Sequence, residues 1–408
     1  MTELSPRASF WVAGTVVALA LWTSACPTLT YPLYQSQWGI STSTVTWIFA
    51  AYPLALIPVL VLFGDLSDHI GRRACMMLGL AAELIGVLLF ALAQDVAWLL
   101  AGRAFMGLGV GLSLSPANVA MVDFSPPGQE KKAGAIGTAI SALGIALAMV
   151  LGGALTQYAP APLRLNYVVL AVVIAAAMGA VLGIPRHTPD ETMDRWRVRA
   201  IVIPRGSRAV FAVGSIAFAS SFLLGAIVLP LGAKIAHQLA GSTNALVTGS
   251  LLAVFAACIV GNALLARRLG MWTLVLVGAV GSIGAVWLFV LTGAAHSLAL
   301  FLLASACAGA AYAFDFAGGL TVLSSYAAPR HRASMVSGGY LVGYLAQGIG
   351  APVLGAIVTA HGLMTGLVTG AGAFSAFFLL VFVSAVAVQP SSRRLGAVIH
   401  TALAHSKP

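Results

Sequence analysis

The chain has very little charge. Of its 408 residues only 8% are Asp, Glu, Lys or Arg and 60% are hydrophobic, whereas a soluble domain carries about 25% charged residues. Water does not hold a chain this apolar as a monomer, so its solvent is lipid. Acids are scarcer than bases, 11 against 21, leaving a net charge of +10. No Lys/Arg tract is interleaved with aromatics, which excludes nucleic acid as a partner. Cysteine is also scarce. Cys26, Cys75, Cys258 and Cys307 lie in or beside apolar runs and form no CxxC pair. That pattern argues against a disulfide framework and a zinc site, and leaves four small, mildly apolar helix residues. Histidines at ligand spacing, a GxSxG elbow and a P-loop are missing. No metal, cofactor or enzyme chemistry is expected.

What is present is long apolar runs. A membrane span needs roughly 20 apolar residues, and the chain supplies twelve such runs: 10–34, 43–63, 74–93, 97–122, 132–158, 164–184, 209–233, 244–266, 271–292, 297–325, 333–360 and 363–388. The first is too long for a signal-peptide core and reads as a span. Basic residues crowd alternate loops: Arg7; Arg72 and Arg73; Lys131 and Lys132; Arg186 to Arg208; Arg267 and Arg268; Arg330 and Arg332; Arg393, Arg394 and Lys407. The other loops hold little beyond Arg164 and Lys234. This bias puts both termini in the cytoplasm of a bacterial-type inner membrane. The longest polar segment, 185–208, contains Pro185, Pro189 and Pro204 and reads as a cytoplasmic linker. It divides the chain into an N-terminal six-helix bundle, 1–184, and a C-terminal bundle with a short tail, 209–408. Two echoes support a duplication. Gly64 to Arg72-Arg73 returns as Gly261 to Arg267-Arg268, and Lys131-Lys132-Ala133 as His331-Arg332-Ala333. The expected fold is all-α, twelve transmembrane helices in two pseudo-symmetric bundles with a cavity between them.

The stretch Gly64-Asp65-Leu66-Ser67-Asp68-His69-Ile70-Gly71-Arg72-Arg73 joins the second and third spans and concentrates charge. Its Gly64, Leu66, Asp68, Gly71, Arg72 and Arg73 match the loop signature G-x-L-x-D-x-x-G-R-[RK] of the major facilitator superfamily of secondary transporters. Arg103, Gly107 and Gly109 match the fourth-span signature R-x-x-x-G-x-G. In span five, Gly144 and Gly152-Gly153 fit the antiporter pattern, with Ala148-Met149 standing where that pattern has Gly-Pro. On these residues the chain resembles the superfamily, most of all its bacterial drug and metabolite antiporters. The resemblance implies alternating access, with spans 1, 4, 7 and 10 lining the cavity. It also implies a cytoplasmic gate of Gly64, Asp68, Gly71, Arg72, Arg73 and Asp123, in which Arg72 pairs with Asp123 and Asp68 caps or faces a helix of the other half.

A charge in the lipid core costs about 3 kcal/mol or more, so intramembrane ionisable residues are functional candidates. They are Glu83 in span three, Arg103 in span four and Asp315 in span ten, and proton coupling is assigned to them. Asp315 lies about 15 residues before Arg330, near mid-membrane at 1.5 Å per residue. It is expected to carry the coupling proton or bind a cation. The competing readings are an interhelical hydrogen bond for Asp315, a neutral packed acid for Glu83, and backbone hydrogen bonding or snorkelling for Arg103. Substrate-cavity candidates are Trp22, Asn118, Ser220, Phe222, Tyr312, Phe316, Tyr340, Tyr344 and Gln347, with Tyr340, Tyr344 and Gln347 on one helical face. Pro27 is expected to kink span one. Gly134, Gly137, Gly144, Gly152 and Gly153 in span five, and Gly338, Gly339, Gly343, Gly348 and Gly350 in span eleven, make small-residue faces for packing across the halves.

The function expected is proton-coupled efflux of small, partly apolar compounds such as drugs or metabolites. The alternatives are a proton-coupled uptake symporter for an organic solute, and a transporter-like receptor without net flux. The partners are the lipid bilayer, a small-molecule substrate and protons, and the chain is expected to be a monomer.

Overall fold

A computed structural model describes residues 3–64, 66–186, 203–327 and 329–404. The middle of the expected linker, 187–202, lies outside the described residues together with Arg195, Arg197, Arg199 and Lys407; so do the side chains of Arg330, Arg393 and Arg394. Helices account for almost all of the described backbone. In chain order they are α1 (Pro6–Ala25), a 3-10 turn (Cys26–Leu29), α2 (Tyr31–Trp38), α3 (Thr42–Leu62), α4 (Leu66–Ile70), α5 (Arg72–Ala91), α6 (Val96–Asp123) and α7 (Glu130–Tyr158). They continue as α8 (Pro162–Val181), α9 (Arg208–Gln238), α10 (Ala245–Ala266), α11 (Met271–Ala295), α12 (Leu298–Ser325), α13 (Pro329–His361) and α14 (Leu363–Ala404). Twelve spans are long and apolar enough to cross a membrane, the first formed by α1, the 3-10 turn and α2 together. The span count and the positions read from the sequence hold. The last helix runs on past 388, where the sequence reads as a tail.

Span one breaks where Pro27 falls. Proline brings no N–H to the carbonyl one turn back, and the chain passes through the 3-10 turn before resuming as α2. Other helices begin where a short polar side chain accepts from the first free N–H groups: Ser5, Ser41, Asp95, Asn244 and Ser297 do this for α1, α3, α6, α10 and α12. α5 instead starts from Gly71 at φ +87°, ψ 151°, a conformation nearly restricted to glycine.

The helices of each half pack on one another: α5 on α6 and α8, α1 on α6 and α7, then α11 on α12 and α14, and α9 on α12 and α13. The halves meet chiefly through two helix pairs, α3 with α13 and α7 with α10, and more lightly where α9 touches the 3-10 turn, α2 and α3. Spans five and eleven therefore do pack across the halves, each against its own partner. Not all of their glycines face that way. Gly153 and Gly348 abut Ala245 and Leu54 of the opposite half, whereas Gly144 meets the Ala18 backbone of α1 and Gly343 meets Phe222 of α9. Lipid offers no hydrophobic force to press helices together, so these close approaches carry the packing. Trp11, Trp47, Val172, Leu264, Val280 and Leu380 stand more than half exposed, outward from the helices. In a bilayer that surface needs no cover.

One echo read from the sequence is displaced. Counted from the caps Gly71 and Gly270, the counterparts of Arg72 and Arg73 are Met271 and Trp272, while Arg267 caps the end of α10. The basic pair belongs to the second half's loop, but not to the same helical position.

Replacing Gly71 with Ala should cost on the order of 1–3 kcal/mol, read as a lowered unfolding temperature of the purified protein in detergent. An unchanged temperature would mean that the turn before α5 does not hold this conformation.

Candidate functional site

Arg103 is completely buried on α6. Its Nη1 donates to the Ser24 carbonyl at 2.9 Å and its Nη2 to the Phe49 carbonyl at 3.5 Å. Both acceptors precede prolines. Phe49 lies one α turn before Pro53, and Ser24 lies one 3-10 turn before Pro27. In each case the helix would offer a proline nitrogen as the donor, which has no proton. The guanidinium supplies the missing N–H groups and ties span one at its break to span two one turn before Pro53. It lies 4.7 Å from the Tyr52 ring centroid and 5.5 Å from that of Phe49, so the rings share its charge. Among the described residues no carboxylate is within ion-pair distance of it.

The two buried acids sit between helices of one half. Glu83 on α5 accepts from Ser113 Oγ of α6 at 2.7 Å and from Thr23 Oγ1 of α1 at 3.1 Å. Asp315 on α12 accepts from Ser282 Oγ of α11 at 2.6 Å, and its Oδ1 has no hydrogen-bond partner. Glycines make room for both: Gly109 lies against Glu83 and Gly278 against Asp315. Asp315 thus turns toward span nine, within its own half.

It is Phe316 that α12 presents to α9 and α13, while Tyr312, one turn earlier, meets Phe255 of α10 at 5.7 Å. Tyr312 stacks on Phe316 at 6.0 Å, and Tyr340 stacks on Tyr344 at 6.2 Å. Phe222 meets Tyr344 at 4.7 Å, and Phe218 meets Phe316, Tyr340 and Phe222 at 4.7, 4.9 and 5.2 Å. Five cavity candidates, Phe222, Tyr312, Phe316, Tyr340 and Tyr344, are therefore brought together. Phe218 completes the set and is not among the sequence candidates, although its place one turn before Phe222 is visible in the sequence. Among the described residues the remaining candidates make no ring contact with this set. Gln347 is buried against Gly225. Ser220 bonds back to the Ile216 carbonyl, and Asn118 to the Leu114 carbonyl beside Gly137. Trp22 is buried on α1 and makes no ring contact with the cluster among the described residues.

At the signature loop, Arg72 pairs with Asp68, bonds Ser67 Oγ at 3.0 Å and sets its Nε 3.6 Å from Asp123 Oδ2. Arg73 donates to the Ile184 carbonyl at 3.1 Å, at the end of α8. Asp68, expected to cap or face a helix of the other half, here meets Arg72 of its own. Gly64 adjoins the Leu60 carbonyl, and Gly71 makes the turn. At the opposite end, three hydrogen bonds join the halves: Lys234 Nζ to Thr42 Oγ1, the Ser43 N–H to Thr359 Oγ1 at 2.8 Å, and the Ala245 N–H to Gln157 Oε1 at 2.8 Å.

Twelve spans in two repeated sets, joined across one end and carrying an aromatic face inside, define a multi-pass membrane transporter fold. The chain belongs to the Major Facilitator Superfamily, which it matches over residues 10–338. It is 33% identical over 147 residues to the puromycin resistance protein of Streptomyces alboniger, covering 36% of this chain and 27% of that one. It is 30% identical over 154 residues to a multidrug efflux pump of Mycolicibacterium smegmatis, covering 36% and 30%. The matched stretch is thus less than a third of either relative's length. Among solved structures, the nucleoside transporter NupG superposes with a TM-score of 0.72 at 14% identity, over 94% of this chain and 98% of that one. A bacterial homolog of the human lysosomal transporter Spinster gives 0.67 at 17%, over 98% of each. These two likenesses establish the fold.

Arg103→Met should leave the Ser24 and Phe49 carbonyls without donors, at about 1–3 kcal/mol each. Pro53→Ala restores an N–H to the Phe49 carbonyl, so the Arg103→Met loss in thermal stability should shrink in that background. An equal loss in both backgrounds would contradict the shared role of the two prolines and the arginine.

Proposed function

We propose that the protein is a proton-linked exporter of small, partly apolar compounds, working by alternating access in a bacterial inner membrane with both termini cytoplasmic. The observation that carries this reading is the aromatic face of Phe218, Phe222, Tyr312, Phe316, Tyr340 and Tyr344 on α9, α12 and α13. Stacked and edge-on rings bind flat apolar groups through large contact area and quadrupole matching. The phenols add hydrogen-bonding tips. The relatives, a puromycin resistance protein and a multidrug efflux pump, agree with substrates of this kind. Exchange of the closed end is the second support. Among the described residues the three hydrogen bonds that join the halves there include no ion pair, so opening that end separates no opposite charges. The Arg72, Asp68 and Asp123 group at the other end gains strength only when an interface closes over it, and so biases one of two arrangements of the halves. The 1–184 and 209–408 segments are the two bodies that move, joined through 185–208. The unit is taken to be the monomer.

Purified protein in liposomes with an imposed pH gradient should move puromycin against its own gradient while protons run the other way. Flux that ignores the pH gradient would contradict the proton link, and puromycin moving with the protons would make the chain an uptake symporter. Tyr340→Ala and Phe222→Ala should each raise KM by roughly two- to tenfold, as expected for losing an aromatic contact of about 0.5–1.5 kcal/mol. Asp68→Asn should lower kcat with KM little changed, since it touches the conformational step and not the ligand.

A further inference from the structure

Glu83 and Asp315 occupy the same place in the repeat. α6 and α12 are both 28 residues long and begin at the caps Asp95 and Ser297. Counted from these caps, Ser113 and Asp315 hold the same position. α5 and α11 begin at the caps Gly71 and Gly270. Counted from those, Gly79 matches Gly278 and Glu83 matches Ser282. The surrounding packing repeats as well: Gly107 lies against the Tyr52 backbone and Gly309 against that of Phe255, and Tyr52 and Phe255 match when counted from the caps Ser41 and Asn244. In each half the third span therefore crosses the fourth at one locus, and an acid–serine hydrogen bond joins them there. The first half supplies the acid from its third span, Glu83, and the second half supplies it from its fourth, Asp315. Acid and hydroxyl have changed sides.

A packing contact alone does not require this. Two serines or two apolar side chains would join the helices without the cost of burying a carboxyl. The repeat keeps the pair and its location while changing which helix brings the acid, so the feature held in common is a carboxyl at that depth. Neither carboxyl has a cation within ion-pair distance among the described residues. Glu83 faces Thr23 of α1, Ser113 of α6 and the Tyr52 phenol of α3, which lies under Arg103; the titratable side chain inside α8, Tyr167, turns instead to Thr30 and Phe90. Asp315 faces Ser282, and α11 has no titratable residue; α9 has them only near its ends, at Arg208, Lys234 and His237, and α10 has only Cys258. Asp315 Oδ1 is buried with no donor, an arrangement suited to a carboxyl that holds a proton.

We infer that the crossing of the third and fourth spans is a proton-binding site in each half, filled by Glu83 in the first and Asp315 in the second, and that the two are equivalent members of one pair. This rests on the proton-linked reading above and adds the number and location of the sites. Both sites lie within a half, away from the aromatic face, so substrate and proton need not compete for one group. Thr23, two residues before the end of α1, links the first site to the break in span one.

Infrared difference spectra of the full-length protein in lipid, recorded between acidic and alkaline pH, should show two signals at the high carbonyl frequency of buried carboxylic acids, apart from those of the water-exposed acids. Glu83→Gln should remove one and Asp315→Asn the other, both variants keeping side-chain volume and a hydrogen-bonding group. The double variant Asp315→Ser with Ser282→Glu copies the first half's arrangement and should regain the second signal. Gradient-driven flux should fall on the order of tenfold or more in Asp315→Asn and recover in the double variant. Absence of both signals from the wild type, or a double variant that folds with no regained signal, would overturn the inference. Two signals in a wild type without gradient-driven flux would dispose of the proton-linked carrier and leave the sites standing.

Discussion

In the interior of a bilayer no water is present to satisfy a polar group, so each donor, acceptor and charge must find its partner inside the protein. The arrangement of this chain follows from that constraint. Prolines in spans one and two leave carbonyls without donors. The Arg103 guanidinium answers them and is in turn held by two carbonyls and two rings. The buried acids are likewise lodged where glycines let two helices come close enough for a serine to reach the carboxyl. A polar group at this depth is thus also a fixed point in the packing.

These fixed points lie within halves, and the contacts between halves are of another kind. α3 meets α13 and α7 meets α10 through small residues and one hydrogen bond each at one end, where Lys234 of α9 also donates to Thr42 of α3. The halves are joined by close apolar packing, Gly249 on the Met149 backbone and Gly355 on Thr46, with no ion pair between them among the described residues, which suits the proposed movement of one half against the other. The aromatic cluster lies on α9, α12 and α13 of the second half, and the proposed ligand recognition by area and ring contact is assigned to it. The proposed export function needs both features: a face that accepts flat apolar groups, and halves able to part at either end.

Much of this is legible in the sequence. The twelve spans, their order and the break at Pro27 follow from hydropathy and proline chemistry, and the signature loop carries the Arg72, Asp68 and Asp123 grouping. What cannot be read is the direction in which side chains point. Asp315 and Phe316 are neighbours in sequence, yet about 100° of helix turn separates them, and only one faces the aromatic cluster. The apolar composition of α12 on all sides gives no stripe from which to choose. Arg103 is equally ambiguous, because its partners are backbone carbonyls that carry no residue signature, although the spacing of Phe49 to Pro53 marks one of them. Gln347, Asn118 and Ser220 are polar residues in spans and so resemble cavity lining. The structure shows Asn118 and Ser220 bonded to their own helices and Gln347 packed on a glycine.

The most direct test of the account is the distance between spin labels placed at Ser43 and Thr359, where the Ser43 N–H meets the Thr359 hydroxyl across the halves. Movement of one half against the other predicts two distance populations in lipid, one short and one long, whose ratio shifts with pH and with added puromycin. A single short distance that neither pH nor ligand changes would contradict the account.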